Sequence, residues 1–110
     1  MIDWDRINEL RDEVGGEDFE EVVELFLEEV EDVISKLRKT PAMSTLEQDL
    51  HFLKGSALSL GFKEFSSLCQ NGETLAANNH ATSVDLKLLL DSYDASKSLF
   101  LSQRDLELAT

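Results

Sequence analysis

One proline, one cysteine and no long apolar run: the chain is defined first by what it has little of. With Pro41 as its only proline and little Val/Ile alternation, neither a polyproline segment nor β-strands are indicated. Cys69 alone cannot close an internal disulfide, and no Cys/His cluster has the spacing of a zinc site. No apolar stretch approaches the roughly 20 residues needed to span a bilayer. Residues 1–15 carry Asp3, Asp5, Glu9, Asp12 and Glu13, unlike a signal or transit peptide, so a cytoplasmic location is expected. Basic residues are also scarce, 10 against 23 acids, for a net charge of −13. Residues 1–39 hold 14 of those acids and only 5 bases. So acidic a chain repels a nucleic-acid backbone and an anionic membrane surface, which excludes both as partners.

What is present reads as one globular domain over 1–110. A hydrophobic fraction of 42% beside 30% charged residues is the composition of a folded, soluble chain rather than a disordered one. Asp3 can cap a short first helix through Ile7, Leu10 and Val14, ended by Gly15-Gly16. A long amphipathic helix is predicted from about Asp18 to Arg38. Its apolar stripe runs through Phe19, Val22, Val23, Phe26, Leu27, Val30, Val33, Ile34 and Leu37. After Pro41, Ser44 and Glu47 form a capping-box pattern opening a third helix that should stop near Gly61. A fourth carries Phe65, Leu68, Cys69, Leu75 and Ala76 to about Asn78-Asn79, with Gly72 as a local weak point. Thr82 and Asp85 suggest a second capping box before a last helix through Leu86, Leu89, Leu90, Tyr93 and Phe100. Short connections between long helices favour antiparallel neighbours. The expected fold is therefore all-α, an antiparallel up-down four-helix bundle with a short additional N-terminal helix.

The third helix carries the chemistry. Leu46, Leu50, Leu53, Ala57 and Leu60 recur at intervals of three and four and mark its buried stripe. At about 100° per residue, His51 lies roughly 135° from the centre of that stripe and Gly55 nearly opposite it. His51 is thus predicted to face solvent, with Gln48, Lys54, Gly55 and Leu58 as neighbours on its face. A mid-helix glycine costs about 1 kcal/mol relative to alanine, so Gly55 asks for a reason. Access is one: a missing side chain one turn above leaves the imidazole open. Neutral imidazole is a competent nucleophile near neutral pH. Phosphorylation would place close to two negative charges on the ring, and a lysine about 4 Å away offsets each by on the order of 4 kcal/mol before desolvation. Lys54 is the only lysine or arginine of that helix, and the Gln48 amide could hold the ring or a phosphoryl oxygen. Phe52 and Leu58 fall off the buried stripe and suit a contact surface. Ser56 is expected to bond back to its own helix, Phe65, Leu68, Cys69 and Tyr93 to lie in the core, and His80 to be a solvated loop residue.

At these residues the chain resembles the histidine-containing phosphotransfer (HPt) domains of multistep two-component phosphorelays. Their pattern of His, Lys at +3, Gly at +4, Ser at +5 and Gly at +10 matches His51, Lys54, Gly55, Ser56 and Gly61. The helix order, the Asp3-Trp4 start and Cys69 extend the likeness over nearly the whole chain. Gly72, in a helix usually free of glycine, departs from it. The resemblance implies a phosphoryl carrier rather than an enzyme. His51 would take the group from one receiver-domain aspartate and pass it to another, with Lys54 and Gln48 stabilising the phosphoryl group and Gly55, Phe52 and Leu58 at the receiver docking face. Response-regulator receivers and a hybrid histidine kinase would be the partners. The Mg²⁺ would belong to the receiver, with no cofactor or metal held by this domain.

Other readings separate on the sequence. The phosphoacceptor domain of a chemotaxis-type histidine kinase shares the signature; the Met1 start and the length suit a free-standing protein. A ferritin-like metal bundle needs Glu-x-x-His pairs on two helices, whereas Glu47 precedes His51 by four residues and no second pair exists. A non-phosphorylated helical adaptor would have no need of Lys54 and Gly55. The dimerisation domain of an ordinary histidine kinase usually has an acid directly after its histidine, where Phe52 stands here.

Overall fold

The computed structural model describes residues 2–108, with side chains as far as Gln103. Its helices are α1 (Trp4–Val14), α2 (Phe19–Lys39), α3 (Leu46–Ser59), α4 (Lys63–Ala77) and α5 (Leu86–Leu108), with a 3₁₀ turn at Ala81–Ser83. The fold is all-α: among the described residues the only β-type pairing is an isolated bridge between Ile2 and Phe62.

Side-chain partners fix the direction of each helix. Lys36, near the end of α2, meets Thr45 and Asp49 at the start of α3. Lys54 and His51 of α3 meet Gln70 and Glu73 of α4 in descending register. Phe65 of α4 packs on Tyr93 of α5, and Glu31 of α2 takes Tyr93 and Lys97 of α5. Each pairing is antiparallel, so α2–α5 run up and down around one core. Leu46, Leu50 and Leu53 of α3 are wholly excluded from solvent there, as is Cys69.

The helix ends show where local signals compete. Asp3 caps α1 by accepting from the Arg6 N–H at 3.1 Å. Gly15, at φ +87°, ends that helix as expected. Ser44 is not the cap of α3. Thr45 stands at the N-cap, and its hydroxyl, held by Lys36 and directed to Ala42 and Asp49, does not cap the helix backbone. Thr82 does not open the last helix either: it sits in the 3₁₀ turn, and Asp85 accepts from the Leu88 N–H at 3.0 Å. In both places several cap-forming residues stand within four positions of one another.

α1 lies against the α3–α4 corner, and Gly61 is its seat. The Asp3 N–H donates to the Gly61 carbonyl at 2.7 Å. Gly61 adopts φ +72°, and a Cβ there would stand 2.6 Å from the Asp3 carbonyl oxygen. No side chain fits that approach. Trp4 then stacks on Phe100 at 5.9 Å, and Phe62 meets both Phe100 and Tyr93, joining the two ends of the chain to the corner. Gly72 corrects the expectation of a weak point. It is buried, and a Cβ would lie 2.8 Å from Leu50 Cδ1 and 3.3 Å from Val84 Cγ1. Its bare backbone lets α4 close onto α3.

Candidate phosphoacceptor site

The buried leucines of α3 leave its opposite face to solvent, and His51 stands there with 70% of its side chain exposed. One turn further on, Gly55 has no atom within 4 Å of where its Cβ would be. Phe52 and Leu58 are 37% and 56% exposed on the same helix. The expected open face around the imidazole is what the fold presents. Ser56 is buried, and among the described residues its hydroxyl makes no bond back to its own helix. His80 is exposed in the loop after α4, away from this cluster.

The second helix of the site is α4, and Glu73 is the residue that sequence reasoning missed. Its Oε2 lies 2.9 Å from His51 Nδ1, and its Oε1 pairs with Lys54 Nζ at 2.7 Å. An ionised carboxylate can only accept, so Nδ1 is the donor, and in the neutral ring the lone pair is on Nε2. Hydrogen bonds from Lys54 and His51 hold the Glu73 carboxyl below its ordinary range against the opposing effect of burial. Lys54 also donates to Gln70 Oε1 at 3.0 Å, and only 22% of its side chain is exposed. It is a braced cation, not a free surface lysine. One cue in the sequence pointed to Glu73: it and Glu64 are the only acids of α4, and Gln70, Glu73 and Thr74 share one helical face.

Gln48 is exposed and, among the described residues, makes no hydrogen bond to the ring. Of the two roles expected for its amide, holding the ring falls to Glu73 instead, at Nδ1. Cys69 lies one turn before Glu73 on α4 but is fully buried, and desolvation pushes its thiol up to about 12. It stays protonated and unreactive. Among the described residues no group of His, Cys, Asp and Glu is arranged to hold a metal ion.

Fold and site together define a helical bundle that offers an exposed, oriented imidazole with a braced lysine beside it and a clear approach above. The chain belongs to the Hpt domain family, whose model matches residues 21–99, from early α2 to α5. That family has a phosphotransfer role in two-component signalling and works with receiver and kinase proteins. No curated protein and no solved structure matches the chain. No helix among the described residues is long and apolar enough to cross a membrane.

Proposed function

We propose that His51 is the phosphoacceptor of a carrier that moves a phosphoryl group between receiver-domain aspartates in a multistep phosphorelay. The observation that supports this most is the pairing of an exposed ring with Glu73 at Nδ1, which leaves Nε2 as the nucleophile. In the forward step the Nε2 lone pair forms an N–P bond while the O–P bond to the donor aspartate breaks. The aspartate leaves as carboxylate. Nδ1 keeps its proton, and the ring becomes cationic against the Glu73 carboxylate. The reverse step delivers the group to the next aspartate.

Lys54 is ion-paired with Glu73 and donates one ammonium hydrogen to Gln70, which leaves donor capacity for a phosphoryl oxygen. Gln48 is left with the phosphoryl oxygens as its partner in this reading. Gly55, Phe52 and Leu58 form the surface on which a receiver docks, with Gly55 supplying clearance. Positioning and charge stabilisation are what such a domain contributes to an in-line transfer. The receiver supplies the aspartate and the Mg²⁺, so the domain is a carrier rather than an enzyme, and the cytoplasm is where these partners meet.

The test is incubation with phosphorylated receiver domains and a histidine kinase. Label on His51 that is acid-labile and base-stable is expected. Label on His80, or none with any phosphorylated receiver, overturns the reading.

A further inference from the structure

Lys54 is anchored from two sides, and the second anchor is itself oriented. Gln70 Oε1 accepts from Lys54 Nζ at 3.0 Å, while Gln70 Nε2 donates to Thr74 Oγ1 at 3.2 Å. The Thr74 hydroxyl in turn donates to the Gln70 carbonyl at 3.0 Å, which leaves its oxygen lone pairs toward the Gln70 amide. An amide whose NH₂ is committed to Thr74 must present its oxygen to Lys54. Gln70, Glu73 and Thr74 stand at i, i+3 and i+4 on α4, so one helix face delivers the whole arrangement. Neither Gln70 nor Thr74 bonds to His51, and both are exposed, so neither is needed for burial.

We infer that Gln70, oriented by Thr74, is a positioning residue for phosphoryl transfer that acts through Lys54. The inference rests on the phosphocarrier reading of His51. A lysine held only by Glu73 would swing with that carboxylate and point along the ring's Nδ1 side. The Gln70 amide supplies a second, neutral acceptor without adding negative charge beside an incoming phosphoryl group. A carboxylate at 70 would brace Lys54 equally well but repel that group, so the amide suits an anion-accepting site.

The experiment measures single-turnover labelling of His51 with phosphoramidate, a donor that needs no partner protein. Here the Nε2–P bond forms as the donor P–N bond breaks, and ammonia leaves. Gln70→Leu should fold and melt like the wild type yet label about three- to tenfold more slowly, less than the roughly tenfold or more that a hydrogen bond to a charged group is worth, because Gln70 acts only through Lys54. Thr74→Val should slow labelling in the same direction by less. In a Lys54→Ala background Gln70→Leu should change nothing further, a coupling that a merely structural role would not produce. A wild-type rate for Gln70→Leu, or an equal slowing with and without Lys54, overturns the role of Gln70 while leaving His51 as acceptor. Absence of label on wild-type His51 overturns both readings at once.

Discussion

Two glycines, each the tenth residue of its helix, stand for the two faces of this molecule. Gly55 of α3 opens onto empty space, whereas a Cβ at Gly72 of α4 would press on Leu50 at 2.8 Å. Both carry the same helical penalty, about 1 kcal/mol relative to alanine. At Gly72 the gain is internal: α3 and α4 close on one another, which brings Glu73 to His51 and Gln70 to Lys54. At Gly55 nothing among the described residues gains from the missing side chain, and clearance for a docking partner is the role it has in the proposed transfer. A glycine in a helix is therefore a question that only its surroundings answer. The open face should govern transfer and the closed face stability.

The largest effect belongs to the open face. His51→Gln should abolish phosphoryl acceptance from receivers and from phosphoramidate while melting within about 0.5 kcal/mol of wild type. Appreciable labelling of that variant would remove the site altogether. Lys54→Ala should slow transfer by one to two orders of magnitude, the equivalent of losing charge-assisted contacts worth roughly 1.5–3 kcal/mol in the transition state. Rapid-quench transfer at the wild-type rate would make it an ordinary lysine.

Paired alanines test the comparison most directly. Gly55→Ala should raise stability by up to about 1 kcal/mol, since its Cβ meets nothing. Gly72→Ala gains the same propensity but must displace Leu50, and overpacking of this kind costs about 1–3 kcal/mol. It should melt at or below wild type and clearly below Gly55→Ala. Equal stabilisation by the two would show that α3 and α4 have room to spare. Gly55→Gln sharpens the other half: it should melt no lower than wild type, label normally with phosphoramidate, and exchange poorly with receivers. A destabilised variant with normal exchange would mean that this face packs rather than docks.

The smallest effect lies at the seam between the faces. Glu73 has its carboxyl held low by Lys54 and His51, so the folded state binds its proton less readily than the unfolded chain. Its contribution to stability is fully present above the ordinary carboxylate value of 4.5 and fades as pH falls through the lower, folded value. The difference in melting temperature between wild type and Glu73→Gln should shrink in that acidic window. A constant difference from pH 7 to pH 3 would show that the pair contributes nothing through ionisation.

Much of the architecture was legible because helical signals are local. Apolar residues at three- and four-residue intervals placed α2 within one residue of its observed limits and put His51 on the outer face of α3. Helix starts were harder. Ser44 and Thr45 are both cap-forming residues, as are Thr82, Ser83 and Asp85, and pattern alone does not rank them. The site was half legible: His51, Lys54 and Gly55 share one helix and follow from its periodicity, whereas Glu73 and Gln70 lie on another.

Periodicity within a helix, set by 3.6 residues per turn, is what this sequence determined by itself: the all-α class, the helix order, and an exposed imidazole with a lysine and a bare position beside it. Register between helices came only with the tertiary structure. It depends on how Leu50, Gly72 and Val84 interdigitate and on Gly61 admitting the Asp3 backbone to 2.7 Å, contacts between residues 12 to 58 positions apart. A shift of one turn, about 5.4 Å, between α3 and α4 would leave every helical pattern intact. It would also carry Glu73 out of reach of the histidine it orients.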